Sequence, residues 1–245
     1  MRGKTHCAIG VLSVIQASIL FKIPISLFNL IISALFAILP DLDESNSTIS
    51  NLLLKKDFSK SVLKCCVYLI NILIFFISIK INDNFFISAL ITFVTIIIIE
   101  SKLNHNTLRK LFLSLIFILL AFCIYLISKQ ISFVIFCLML AIFPWLKHRG
   151  YSHSLFAIII IHFLLKQIEL ITNISNLCFF GTVSYASHIF LGDLFTRSGI
   201  PIFYPISEKK YSLCFFKVGS FFSNILEMLF ILFLLSMVIY SIIKI

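Results

Sequence analysis

Long apolar runs recur from one end of this sequence to the other, and that recurrence limits the fold more than any other feature. In hydrocarbon a backbone must satisfy every N–H and C=O internally, which leaves only the α-helix and the closed β-barrel. The runs are consecutive Ile, Leu and Phe, without the apolar–polar alternation of a barrel strand. Of the 245 residues 60% are apolar and 12% charged. A soluble domain carries about 25% charged residues, so too few are present here to cover a surface in water. The sequence therefore predicts an all-α, polytopic transmembrane helical bundle, a single integral-membrane domain over 1–245 that sits in a lipid bilayer.

Nine apolar segments stand out, roughly 8–21, 25–40, 62–79, 84–99, 111–127, 131–146, 154–171, 177–191 and 220–243. A full span usually takes about 20 residues. Several segments are shorter, so the expectation is seven to nine membrane segments, with the first pair and the eighth as candidates for half-buried or re-entrant ones. The basic tip and apolar stretch of MRGKTHCAIGVLSVIQASILF have the outline of a signal peptide. No small-residue cleavage site follows, and the stretch reads as a retained first segment.

The formal net charge is +10, which on a soluble protein would point to nucleic acid. Here the positive-inside rule accounts for it, and no polar segment interleaves basic and aromatic residues. Nucleic acid is not an expected partner. With Arg2 and Lys4 in the cytoplasm, nine crossings put loops 41–61, 100–110, 147–153 and 192–219 inside. Those loops carry Lys55, Lys56, Lys60, Lys102, Arg109, Lys110, Lys147, Arg149, Arg197, Lys209, Lys210 and Lys217. The outside loops carry single lysines: Lys22, Lys80, Lys129 and Lys166. The seven cysteines form no CxxC pair and mostly sit in apolar runs, where a free Cys acts as a small buried hydrophobe.

Four short stretches break the apolar pattern with His and Asp. They are Thr5-His6; Asp41, Asp43 and Glu44 after Pro40; His148 to Ser154; and His188 with Asp193. They hold four of the six histidines and four of the ten acidic residues. Under the topology above, which Lys and Arg alone determine, all four lie at cytoplasmic helix ends. Carboxylates near a membrane core are costly, and a divalent metal supplies the missing charge. Imidazole with carboxylate suits Zn, Mn, Fe or Ni, with Zn or Mn favoured. Seven candidate ligands, His6, Asp41, Asp43, His148, His153, His188 and Asp193, suffice for one or two ions. Gly150 gives a turn that brings His148 and His153 together, and Gly192 lets Asp193 fold back toward His188. Each stretch also has a plain structural reading. Asp41 or Asp43 can cap a helix, Arg149 can anchor topology, Ser152 can be an N-cap, and His188 can pair with Asp193. His105 reads as solvated in a basic loop and His162 as a hydrogen-bonded interior residue.

MRGKTHCAIG, LPDLDES, HRGYSHSL and SHIFLGDLFTRSGIPIFYPIS occur in that order over nearly the whole chain. The pattern resembles the YdjM-like family of bacterial inner-membrane proteins, usually described as metal-dependent hydrolases. The resemblance implies roles in a metal site for His6, Asp41, Asp43, His148, His153, His188 and Asp193, and places Thr196, Gly199 and Pro201 in the family's final loop. Ser152 stands where Thr is common, and Tyr204-Pro205 where Trp-Pro is common. The gap between His188 and Asp193 is one residue longer than usual.

The expected function is hydrolysis at a metal centre, which lowers the pKa of bound water from about 15.7 toward 7 in a zinc-like site. Asp43, Glu44 or Asp193 would act as general base. Arg149 would stabilise an anionic transition state, since its fork matches phosphate. The residue set favours a phosphoester or phospholipid headgroup substrate. A transporter or channel for a divalent metal or proton-coupled solute, and a non-catalytic metal-stapled scaffold, are the alternatives. For the topology, a reporter fused within 147–153 is expected to read as cytoplasmic; a periplasmic reading would invert every loop assignment.

Overall fold

A computed structural model describes residues 3–44, 47–102, 105–214 and 218–244, without the side chains of 100–102 and 105. Arg2 and Lys217, assigned above to inside loops, lie outside the described residues, as do the side chains of Lys102 and His105. The chain is about 80% helical with no strands among the described residues. In order the helices are α1 (Gly3–Phe21), α2 (Leu27–Ile38), α3 (Thr48–Leu53), α4 (Lys56–Asn82), α5 (Phe85–Lys102), α6 (His105–Ser128), α7 (Ile131–Ile142), α8 (Leu155–Thr172), α9 (Leu177–Ser187) and α10 (Phe221–Ile243).

Local chemistry accounts for the helix ends. Ser26, Ser47, Ser154 and Ser220 cap α2, α3, α8 and α10, each hydroxyl accepting from the backbone N–H three residues on. Asp83 and Asn173 close α4 and α8 in the left-handed conformation, which Asn and Asp tolerate better than other non-glycine residues. Glu169 on α8 reaches across the following turn and accepts from the N–H of Cys178 at 2.7 Å, so this acidic residue satisfies an open donor at the start of α9.

Among the described residues six helical stretches are long and apolar enough to cross a membrane: Gly3–Phe21, Lys56–Asn82, Asn106–Ser128, Leu155–Thr172, Leu177–Phe195 and Phe221–Ile243. Six falls short of the seven to nine segments expected from hydropathy. Three of the nine segments do not qualify: the apolar part of α5, Phe85–Ile99, is a shorter helix, and α2 and α7 have 12 residues each and rise about 18 Å, short of the roughly 30 Å hydrocarbon core. A proline stops both α2 and α7. Pro40 opens the 3₁₀ turn Leu39–Asp43, and Pro144 sits in the 3₁₀ turn Phe143–Trp145, because a ring without an N–H cannot continue the α ladder. The first and eighth segments, expected as candidates for re-entrance, both qualify as spans.

Helix α9 is the centre of the bundle. It packs on α1, α2 and α8, and 61% of the Leu177–Phe195 stretch is buried, against 17% for α10. Phe36, Leu42, Phe143, Ile161, Leu165, Tyr185 and Ile189 share the core around it. Small residues let helices approach closely in membranes. Gly10 of α1 faces the Ala37 methyl and the Ser184 hydroxyl, and Ser184 donates to the Ser33 carbonyl across α2 and α9. Helix α10 lies on α1, where Gln16 donates to the Ser241 hydroxyl at 3.0 Å. Helices α4 and α5 form a peripheral hairpin, joined across by the Thr95 hydroxyl donating to Asn71 Oδ1 at 3.0 Å. The outward faces remain apolar, with Leu27, Phe76, Phe86 and Ile127 exposed, as lipid contact demands.

Gly10→Val is expected to push α1 off α2 and α9, since overpacking costs about 1–3 kcal/mol. The measurement that checks this is the thermal-unfolding midpoint in detergent, which should fall below that of wild type. Leu20→Val, at an exposed position of the same helix, is the control and should leave the midpoint unchanged.

Candidate metal centre

The starts of α1 and α8 and the ends of α2 and α9 meet at one end of the bundle, and that end gathers the four polar stretches. His6 is in the first turn of α1, Asp41 and Asp43 are in the 3₁₀ turn after α2, and His153 ends the 3₁₀ turn Tyr151–His153 before α8. Helix α9 does not stop at Ser187 but widens into the π-helical turn His188–Gly192, followed by the 3₁₀ turn Asp193–Phe195. The widened turn brings His188 and Asp193 to the same point. Such single π turns are frequent at functional sites.

Four of the predicted residues converge there: Asp41, His153, His188 and Asp193 offer ligand atoms all within 4.8 Å of one another. Nε2 of His153 lies 3.2 Å from Nε2 of His188, 3.1 Å from Asp193 Oδ2 and 3.8 Å from Asp41 Oδ1. Nε2 of His188 lies 3.5 Å from Asp41 Oδ1 and 3.7 Å from Asp193 Oδ2. A tetrahedral zinc ion with bonds of about 2.0–2.1 Å holds its ligands about 3.3–3.4 Å apart. The observed separations bracket that value, so the donor set fits a divalent ion.

Both tautomers support the fit. His188 Nδ1 is 2.7 Å from the carbonyl of Ala37, which only accepts, so Nδ1 carries the proton and Nε2 presents its lone pair. The 3₁₀ turn at this point would take its donor to that carbonyl from residue 40, and Pro40 has no N–H to give. His153 Nδ1 faces Asp43 Oδ2 at 3.3 Å, which likewise turns its Nε2 lone pair inward. A carboxylate behind a ligating imidazole is the usual support of a metal site. Charge agrees as well. The carboxylates of Asp41, Asp43 and Asp193 are 13, 0 and 2% exposed, and the Arg149 guanidinium pairs with Asp193, leaving a deficit that a divalent cation cancels.

The imidazoles and carboxylates also shift one another. Burial opposes ionisation of Asp41, but His188, His153 and His6 outweigh it and hold its pKa below the carboxylate range. Burial likewise opposes the charged form of His153, and Asp193, Asp41 and Asp43 overcome it and push its pKa well above 6.5. The pull that attracts a proton to this point attracts a metal cation equally.

Asp43 and His148, predicted as ligands, stand outside that group of four. Asp43 is fully buried, and its Oδ1 is 2.7 Å from His148 Nδ1. Its Oδ2 accepts from the Ser152 hydroxyl at 2.5 Å and from the Arg149 N–H at 3.2 Å. The second bond holds Arg149 in the left-handed conformation, φ 56°, which costs a non-glycine residue about 1–3 kcal/mol. Both histidines of the Gly150 turn thus meet at Asp43. His148 can instead group with Asp43 and His153, or with Asp41 and Glu44. Its Nε2 is 3.6 Å from Glu44 Oε2 and its side chain is 38% exposed. Burial lowers and Asp43 raises its pKa, and Asp43 prevails.

His6 is also outside the four. Its ring stacks on His188 with centroids 3.8 Å apart, and Nε2 is 3.6 Å from Asp193 Oδ1. It fits there because Gly192 has no side chain; a Cβ at 192 would run into the His6 ring. Arg149 is tied down rather than free. Its guanidinium donates to Asp193 Oδ1 at 2.8 Å, to Thr196 Oγ1 at 2.7 Å and to Ser198 Oγ. Ser152 is not the N-cap of α8; Ser154 is.

Sequence reasoning passed over several contributors. Tyr185, fully buried, donates to the Ser152 carbonyl, and Ser198 receives Arg149 beside Thr196, which the resemblance had placed in the final loop. Glu227 of α10 accepts from the Thr5 hydroxyl at 2.7 Å. An acidic residue in an apolar run is itself a signal of function or pairing, and Glu227 carried that signal. Above the centre opens a cleft of about 740 Å³, lined by Asp41, Asp193 and Glu44 and by the cationic Lys4, Arg149 and Lys210.

The sequence model of the YdjM inner membrane protein family matches residues 1–245. No curated protein and no solved structure matches the chain.

Asp43→Asn removes the carboxylate behind His153 and is expected to weaken zinc affinity about 10–100-fold, as loss of such supports does. Competition with a chromophoric chelator on purified, folded protein measures it; unchanged affinity would deny Asp43 this supporting role.

Proposed function

The chain belongs to the YdjM inner membrane protein family, and from that premise we propose that it is a membrane-bound metal-dependent hydrolase acting on a phosphoester or lipid headgroup. The observation that carries this reading is the convergence of two Nε2 lone pairs and two carboxylates on one point at the floor of a polar cleft that also presents Lys4 and Lys210. Asp41, His153, His188 and Asp193 would hold one divalent ion, zinc or manganese. When bound, such an ion supplies Lewis acidity and activates water at neutral pH.

The chain's own residues have separable tasks in this reading. Lys4 and Lys210 attract and orient an anionic group in the cleft, and Arg149 keeps its charge at the wall while it fixes Asp193. Asp43 has both oxygens engaged, so it orients His148 and His153 rather than taking a proton. Proton transfer then falls to His148 Nε2, with Glu44 beside it at 3.6 Å, both at the cleft. Imidazoles held within reach of substrate in this way contribute about 10²–10⁴-fold to rate. His6 buttresses His188 by stacking. A polar cluster confined to one end of the bundle favours an enzyme over a transporter, whose pathway would continue through the membrane.

Elemental analysis of purified protein beside turnover of phosphoester substrates tests the proposal. Wild type is expected to carry one ion per chain, His153→Ala and His188→Ala to lose it, and His148→Ala to keep it while losing about 10²–10⁴-fold in rate. Full metal content in His153→Ala, or no metal in wild type after zinc and manganese are supplied, would overturn the metal centre. Full activity in His148→Ala would remove it from proton transfer.

A further inference from the structure

A second hollow, of about 380 Å³, lies beside the cleft against α10. Phe195, Leu213, Leu226 and Phe230 give it apolar walls, and Thr196 and Glu227 are polar at its margin. The rings of Phe195 and Phe230 stack with centroids 5.9 Å apart. The metal centre described above makes no use of it.

Two contacts show that the hollow and the cleft are neighbours. Thr196 lines the hollow and Ser198 lines the cleft, and their hydroxyls are 3.4 Å apart. Arg149 Nη1 donates to both. On the other side, Thr5 holds Glu227 at the hollow while the adjacent Gly3 and Lys4 line the cleft. A thin wall, made of the first turn of α1 and the segment after Asp193, separates a polar chamber from an apolar one. Ser223, Leu226, Glu227 and Phe230 belong to the first turns of a membrane-crossing helix, so the apolar chamber begins at the polar end and runs into hydrocarbon depth.

We infer that the hollow receives the hydrocarbon chain of an amphiphilic substrate whose anionic head lies in the cleft, which makes the substrate a phosphate amphiphile with one seated chain rather than a free soluble phosphoester. The inference rests on the hydrolase reading for what happens to the head. A phosphate drawn to Lys4 and Lys210 leaves its chain at the rim of the thin wall, with the apolar recess on the other side, and burial of each methylene there is favourable. Glu227 ties α10 to α1 so that both chambers keep a common wall.

The test uses full-length, zinc-loaded protein in detergent and dodecyl phosphate carrying a terminal diazirine. After photolysis, peptide mapping by mass spectrometry is expected to find the label on Phe195 and Thr196, on Leu213 and Cys214, and on Ser223 to Phe230, removed by excess unlabelled dodecyl phosphate. Leu226→Trp fills the hollow and is expected to lose that label. Leu229→Trp, on the same helix but outside the hollow, is expected to keep it, which controls for folding. Label spread equally over α4, α5 and α10, or retained in Leu226→Trp, would overturn the inference. The two readings fail separately: scattered label with intact phosphoester turnover removes only the chain site, and label confined to the hollow without turnover of any phosphoester removes only the hydrolase.

Discussion

Asp43 carries the arrangement at the polar end of this protein. It is a fully buried carboxylate between the end of α2 and the turn before α8, and a buried charge is tolerated only when donors surround it. The donors are the Ser152 hydroxyl, the Arg149 N–H and the imidazoles of His148 and His153. Satisfying this one side chain therefore fixes the 148–153 turn, holds Arg149 in a left-handed backbone conformation and turns His153 Nε2 inward. Arg149 in turn binds Asp193, Thr196 and Ser198, so the segment after α9 is placed through the same carboxylate.

Irregular helix ends make this possible. A regular α-helix uses its carbonyls internally, and a break in the ladder leaves a carbonyl with fewer donors of its own. Pro40 interrupts α2 and leaves the Ala37 carbonyl for His188, and the π turn at His188–Gly192 carries Asp193 round to face it. The ligands come from elements that depart from ideal helix, while α4, α5 and α10 remain long helices with apolar outer faces. Local irregularity is tolerated where neighbouring protein groups re-satisfy the backbone, as it is not in contact with lipid.

The cleft and the apolar hollow lie beside that irregular end. Lys4 and Thr5, adjacent in α1, serve a polar chamber and a wall contact to Glu227 respectively. A single helical turn thus borders a polar chamber and an apolar one, because adjacent residues of a helix point in different directions.

Much of this was legible in the sequence. Apolar runs without alternation determined a helical membrane bundle, since no other backbone satisfies itself in lipid. The clustering of His and Asp at helix ends determined which residues would meet, because charge is too costly to scatter through hydrocarbon, and Asp41, His153, His188 and Asp193 did meet. The division of labour among them was not legible. Spacing places His148 and His153 in one turn, but only packing decides that both meet Asp43. Likewise His6 stacks on a histidine, Arg149 is committed to Asp193, and Glu227, alone in its apolar run, pairs with Thr5 from 222 positions away. The number of spans was less legible for a related reason. Hydropathy measures apolar length, whereas where α2 and α7 stop depends on Pro40 and Pro144. Composition and periodicity are properties of neighbours along the chain; the orientation of a lone pair or a guanidinium is set by groups that only the tertiary structure brings within hydrogen-bond distance.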